Sequence, residues 1–241
     1  MGKPTREYIY GINPVFEVVL SERRKIYTAY LNKKYKNNPR LDKLTSILKK
    51  YNIPIDKVSK ERLFELSKTK KHQDVVLKTK PYPYISFDSI LGSKKILLLD
   101  NVEDPHNVGA ILRSAEIFGF HDVALPLKGV PDIYPSVVKV SAGASEYLNI
   151  AKDRNANTYV KTAKENGYTV IALDGGGDKK ISSLKMEENE KFLLVVGGED
   201  TSVGQYILQR ADHIVRIPQK GRINSLNASV AAGIAMYIFS E

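Results

Sequence analysis

The apolar positions of this chain follow two rhythms. Up to about residue 80 they come in short pieces. Tyr8–Tyr10, Ile26–Leu31 and Ile55–Val58 are brief apolar runs that read as strands, and Asp74–Lys80 reads as a fourth. Between them the spacing lengthens. Leu41, Leu44, Ile47 and Leu48 share one face of a helix over Pro39–Tyr51. Asn13 and Pro14 open another over Val15–Leu20, with Asn at the cap and Pro in the first turn. Ser59 starts a short helix carrying Leu63, Phe64 and Leu66. The pattern predicts a small α/β domain over residues 1–80. Residues 81–87, rich in Pro and Tyr, read as a linker.

From residue 88 onward the strands are continuous apolar runs. They are predicted at Lys94–Asp100, Asp122–Leu125, Tyr168–Leu173, Phe192–Val196 and His213–Ile217. Helical spacing lies between or after them, at Val108–Phe118, Ala156–Glu165, Gly204–Arg210 and Leu226–Phe239. Runs without alternation indicate strands buried on both faces, so residues 88–241 predict a parallel sheet covered by helices. In such sheets ligands bind beyond the carboxyl ends of the strands. Three polar loops follow strand ends here: Asp100–Gly109, Gly197–Gly204 and Pro218–Asn227.

Each loop carries chemistry only weakly alone. In the first, Asn107 is placed to cap the following helix. Gly109 and Arg113, four residues apart, share one of its faces. In the second, Gly197 and Gly198 free the backbone after a buried strand, and Glu199 follows them. In the third, Gly221, Asn224, Ser225 and Asn227 precede a helix of small residues, Ala228, Ala231, Ala232 and Gly233. Such a junction fits a ligand lying against the end of a tightly packed helix.

Several classes fall away. The chain has no cysteine, so it has no disulfide framework, Cys-bound metal or thiol nucleophile. No GxGxxG follows the first long strand, and there is no Walker A or HExxH motif. The Gly run at 175–177 lacks dinucleotide-binding spacing. The four histidines are scattered, and no metal site is expected. No apolar stretch reaches the length of a membrane span or a secretory leader, which leads to the expectation of a cytoplasmic protein without a membrane partner.

Charge divides the chain. Residues 1–87 hold 20 basic and 8 acidic side chains, an excess of +12; residues 88–241 hold 17 and 19, a balance of −2. A basic module joined to a near-neutral one points to a polyanion such as RNA. Arg23, Arg24, Lys33, Lys34 and Lys36 are the expected RNA contacts.

The three loops together resemble the signature motifs of the SpoU (TrmH-type) RNA ribose 2′-O-methyltransferases of the SPOUT superfamily. Asn107, Gly109 and Arg113 match N-x-G-x-x-x-R. Gly197, Gly198 and Glu199 match the Gly-rich loop. Ile217 to Ala231 match I-P-x-x-G-x-x-x-S-L-N-x-S-x-A, with Gln219 where Met is common and Ala228 where Val is common. Ser141–Leu148 resembles a further family element. The opening YIYGINPVFEVVL is similar to the family's small substrate-binding domain, of the L7Ae-like ribosomal-protein type. His72-Gln73-Asp74 resembles its closing segment, with Asp74 where Gly is usual.

The resemblance implies a C-terminal parallel-sheet α/β domain with a deep trefoil knot, a homodimer, and S-adenosylmethionine as methyl donor. It implies that Ala142, Gly143, Ala144, Gly197, Gly198, Ile217, Gln219 and Leu226 hold the donor. It also implies that Asn107, Arg113, Glu199, Ser225 and Asn227 form the catalytic group. A guanidinium stays protonated, so Arg113 is expected to stabilise a developing alkoxide or hold a phosphate rather than act as a base. The nearest subgroup methylates a guanosine of large-subunit (23S) rRNA. A tRNA enzyme, an antibiotic-resistance rRNA methyltransferase and a non-catalytic ribosome-assembly protein are the alternatives.

Overall fold

A computed structural model describes residues 5–198, 202–222 and 225–240. The chain forms two units, one of Met1–Pro83 with Ile133–Tyr147, the other of Tyr84–Asp132 with Leu148–Glu241. In chain order the first unit supplies β1 (Glu7–Tyr10), α1 (Ile12–Leu20), β2 (Ile26–Asn32), α2 (Pro39–Lys50), β3 (Ile55–Val58), α3 (Lys60–Ser67) and β4 (Val75–Thr79). The second unit begins with β5 (Lys95–Asp100), α4 (Pro105–Ile117) and β6 (Asp122–Ala124). The chain then contributes α5 (Pro135–Val140) to the first unit. The remainder is β7 (Asn149–Ala151), α6 (Ala156–Glu165), β8 (Thr169–Leu173), β9 (Lys179–Lys180), β10 (Phe192–Gly197), α7 (Gln205–Leu208), β11 (His213–Arg216) and α8 (Ala228–Ile238).

In the first unit the strands run in the order β1-β4-β2-β3. β4 pairs antiparallel with both β1 and β2, while β3 lies parallel to β2. Local signals explain the helices. The Asn38 side chain accepts from the amides of Arg40 and Leu41, Pro39 sits at the first position of α2, and Leu41, Leu44 and Leu48 are buried at helical spacing. The Ser59 side chain caps α3 by accepting from Arg62 N.

The segment Ile133–Tyr147 departs from the sequence expectation, which placed everything beyond residue 87 in one domain. Two features tie it to the first unit. Arg24 donates to both carboxylate oxygens of Glu146, at 2.8 and 2.7 Å, and to Glu7 at 2.7 Å. Gly143, at φ +94°, lies so close to Glu17 that a Cβ would stand 2.5 Å from that residue's own Cβ. Neither tie leaves a trace in the local apolar rhythm.

The second unit holds a seven-stranded sheet in the order β7-β6-β5-β10-β8-β11-β9, every pair parallel. Alternate side chains build its two faces. Ile96, Leu98, Val170, Leu193 and Val195 join Tyr159, Val160 and Ile207 of α6 and α7 in one buried cluster. Leu97, Leu99, Ile171, Leu194 and Val196 alternate with them and are also buried. On the same unit α4 and α8 pack against each other. The chain builds outward from β5 through β6 to β7, then returns to the other side of β10. That reversal creates a topological switch point at the carboxyl ends of β5, β10 and β8.

Candidate functional site

The loops leaving the switch point enclose a cavity of about 310 Å³. Leu173, Asp174 and Gly175 wall it after β8. Val196, Gly197, Gly198 and Ser202 do so around the end of β10. Ile217, Gln219, Ser225, Leu226, Ala228 and Ala231 complete it after β11 and on α8. The lining mixes apolar side chains and glycine backbone with Asp174, Ser202, Gln219 and Ser225, as a small-molecule site requires.

Two glycines are there because the backbone leaves no room for a side chain. A Cβ on Gly197 would stand 2.2 Å from the carbonyl carbon of Ser202, and one on Gly198 would stand 2.0 Å from the carbonyl oxygen of Asn101. Gly198 N donates to Asp100 O at 3.0 Å. The Asp100 side chain is buried, and its Oδ2 accepts from Gly204 N at 2.9 Å. Burial pushes its carboxyl above the usual range, with the Gly204 hydrogen bond opposing the rise. The loop after β10 is therefore pinned at both ends to Asp100. Across the cavity, Ser202 Oγ donates to Asp174, which also accepts from Gly176 N at 2.8 Å.

Asn227 joins the third loop to the first. Its Oδ1 caps α8 by accepting from the amides of Ser229 and Val230, at 3.0 and 3.4 Å. Its Nδ2 donates to Asn107 Oδ1 at 3.0 Å. The structure so brings together two of the expected catalytic residues, Asn107 and Asn227, and lines the cavity with a third, Ser225. Asn107 does not cap α4. The helix starts earlier, at Pro105, and the Asp104 side chain caps it by accepting from His106 N at 2.8 Å. Gly109 is buried, and Arg113, one turn on, is exposed. Glu199 and Asn224 lie outside the described residues.

Of the eight expected donor-binding residues, Gly197, Gly198, Ile217, Gln219 and Leu226 line the cavity. Ala142, Gly143 and Ala144 do not: they belong to the first unit, packed by way of Gly143 against Glu17 and Pro14. Conversely, Leu173, Asp174, Gly175 and Ser202 were not anticipated. Their signal was present, since Asp174 and its glycines follow a buried strand just as Gly197 does.

The expected RNA contacts also separate. Lys33, Lys34 and Lys36 are exposed and line a cleft of about 650 Å³ on the first unit. Arg23 is half-buried, with Nε donating to Glu146 O at 2.6 Å. Arg24 is corrected outright. Its side chain is 0 % exposed and its guanidinium is consumed by Glu146 and Glu7. Burial alone would lower its pKa, and the two carboxylates more than offset that.

Comparison with known proteins places both units. The sequence profile of the SpoU rRNA Methylase family matches residues 94–237, and that of RNA 2′-O ribose methyltransferase substrate binding matches residues 8–85. An uncharacterised tRNA/rRNA methyltransferase of Archaeoglobus fulgidus is 36 % identical, over 85 % of this chain and 87 % of its own. The 23S rRNA (guanosine-2′-O-)-methyltransferase RlmB of Acinetobacter baylyi is 30 % identical, over 98 % of this chain and 97 % of its own. Among solved structures, the SpoU methyltransferase AviRb of Streptomyces viridochromogenes, in complex with AdoMet, superposes with a TM-score of 0.81 at 22 % identity. It covers 98 % of this chain and 89 % of its own.

Proposed function

The chain belongs to the SpoU rRNA methylase family, and from that premise we propose that it transfers a methyl group from S-adenosylmethionine to a ribose 2′-hydroxyl of RNA, a guanosine of 23S rRNA. One observation carries the reading: a single cavity at the carboxyl ends of β8, β10 and β11 gathers the Gly-rich loop and the Ser225–Asn227 segment, with Asn107 bonded at its edge. The donor set fits an adenosine-bearing cofactor. Apolar walls from Leu173, Ile217 and Leu226 suit a base. Gly197 and Gly198 bring main chain without side chains to the lining, and Gln219, Ser202 and Ser225 add polar groups to it.

When bound, S-adenosylmethionine supplies an activated methyl on a sulfonium; the protein supplies position and charge. Gly197 and Gly198 let the main chain reach the cofactor without intervening side chains. Asn107 and Asn227, fixed to each other, orient polar groups at the cavity edge. Arg113 projects an always-charged guanidinium from α4 and would stabilise the negative charge that develops on the ribose oxygen. The family motif assigns Glu199 to the same catalytic role.

The basic first unit favours a large structured RNA, and methylation of rRNA sets the enzyme in the cytoplasm. Among the described residues no helix is long and apolar enough to cross a membrane. The reading includes a homodimer, supported by the exposed Val230 and Tyr237 of α8 and Ile117 of α4, and the family's trefoil knot.

Incubation with labelled S-adenosylmethionine and bulk rRNA or tRNA, followed by nucleoside analysis, tests the reading. Label in 2′-O-methylguanosine of 23S rRNA is expected. Label confined to tRNA would overturn the substrate, and absence of cofactor binding would favour a non-catalytic assembly protein. In Arg113→Ala, turnover is expected to fall at least a hundredfold with cofactor affinity unchanged, the scale of losing one charge-stabilising group.

A further inference from the structure

A second cleft lies on the first unit, with a volume of about 780 Å³. Its wall includes Phe64, the lysines Lys60 and Lys70, and the carboxylates Glu61, Glu65 and Asp74. It shares Lys60, Glu61 and Asp74 with the cleft that holds Lys33, Lys34 and Lys36. Phe64 is 45 % exposed, although Leu63 beside it on α3 is fully buried. The ring stands among charges of both signs and offers a flat apolar face on which a base can stack.

Asp74 is the unusual member. Gln73 and Asp74 are consecutive non-glycine residues in left-handed conformation, at φ +53° and +63°. Such a pair persists only when the surroundings fix it. Here Asn32, 2 % exposed, does so: its Nδ2 donates to Asp74 Oδ1 at 2.9 Å and its N to Asp74 O at 3.0 Å. Asp74 N donates to His72 Nδ1 at 3.1 Å, and Gln73 Oε1 accepts from Ile12 N at 3.0 Å. Among the described residues, Asp74 Oδ2 accepts no hydrogen bond. A carboxylate oxygen is thus held in place, on the wall common to two clefts that together carry Lys33, Lys34, Lys36, Lys60 and Lys70 against the carboxylates Glu61, Glu65 and Asp74.

The occupant must satisfy three demands at once. It must present anionic groups to the lysines, a flat apolar face to Phe64, and an N–H donor to Asp74. An acidic peptide meets the first but brings no flat face carrying an N–H edge for Phe64 and Asp74. An unstacked RNA nucleotide meets all three, and guanine alone among the four bases sets a ring N–H beside an amino group on one edge. We propose that this cleft receives one unstacked guanine of the RNA substrate, its face on Phe64 and its N–H edge toward Asp74, with flanking phosphates on the lysines. The proposal rests on the RNA-methyltransferase reading and names the base-reading subsite of its first unit.

The test uses the full chain and a labelled single-stranded adenine 11-mer RNA with one central guanine, compared with the same RNA carrying inosine, adenine or an abasic site at that position. Phe64→Ala is expected to weaken the guanine RNA about tenfold, the scale of losing one stacked base. Phe64→Trp is expected to retain affinity. The salt dependence of binding should not change in either, because no phosphate contact is removed. The wild type should prefer guanine over inosine. Asp74→Asn, a residue type that tolerates the left-handed conformation, should lose that preference. Unchanged circular dichroism and thermal melting of each full-chain variant check that the first unit is folded. Equal affinity of Phe64→Ala and wild type, or guanine preference surviving in Asp74→Asn, would overturn the subsite while leaving the methyltransferase reading intact. Phe64-dependent binding of polyglutamate with no preference among the RNAs would assign the cleft to an acidic protein and overturn the proposal.

Discussion

Gly198 and Asp100 hold the cavity wall between them, and each makes a prediction a single substitution can check. A Cβ at residue 198 would stand 2.0 Å from a backbone oxygen, which cannot swing away as a side chain would. Gly198→Ala is therefore expected to lower stability by about 1–3 kcal/mol, as overpacking does, and to weaken cofactor binding. Thermal melts and calorimetric titration would read the two effects separately; unchanged affinity would show that the loop can relax. Asp100 is a pH question. Burial raises its carboxyl in the folded chain, so the folded state holds that proton to higher pH than the unfolded chain, where aspartate titrates at about 3.9. The group's contribution to stability is full below that value and is lost as pH rises through the folded value. Asp100→Asn keeps an acceptor for Gly204 N and removes the titration. Its melting temperature, relative to wild type, should climb from about pH 4 toward pH 7. A difference that stays flat with pH would remove the raised carboxyl from the account.

At the scale of elements, α8 shows how one residue serves both fold and site. Asn227 uses Oδ1 to cap the helix and Nδ2 to bind Asn107. Asn227→Ala is expected to cost about 1 kcal/mol through the cap and to lose turnover. Asn227→Asp keeps an oxygen for the cap and removes the donor, so it should retain stability and still lose turnover. Equal stability of the two variants would deny the cap its role; wild-type turnover in the aspartate variant would deny the contact with Asn107. β5, β8 and β10, the long strands of the second unit, could be read from sequence because burial on both faces leaves uninterrupted apolar runs. β7 and β9, of three and two residues, are too short to show a period. The start of α4 was legible in Asp104-Pro105, a cap followed by Pro at the first helical position, but the motif residue Asn107 drew attention three positions too far. Asp174 and Gly175 lack dinucleotide-binding spacing, and their signal lies instead in where β8 ends, directly before them. Arg24 could not have been separated from Arg23 by charge or spacing. Its burial depends on Glu146, 122 residues away.

At the scale of the whole molecule, the uneven charge and one apolar surface bear on the same question. α8 is apolar all round. Ala228, Ala232, Ala235 and Met236 face inward, while Val230 and Tyr237 on the other side are 50 % and 53 % exposed. Tyr237 packs edge-on against Phe118 at 5.8 Å, just past α4, whose last residue, Ile117, is 63 % exposed. A helix with no polar face is ordinarily covered on both sides, and within one chain this surface is not. Covering it with a second copy is electrostatically cheap. The excess of +12 lies in residues 1–87, whereas residues 88–241, which carry α4 and α8, sum to −2. Two copies meeting through the second unit avoid the repulsion that two basic units would meet. Sedimentation equilibrium should therefore give twice the 27.0 kDa chain mass for wild type. Val230→Glu, a change at a position exposed in the single chain, should shift it toward one chain without loss of helical circular dichroism. A wild-type monomer would assign the apolar face to another partner. A Val230→Glu dimer would move the interface off α8.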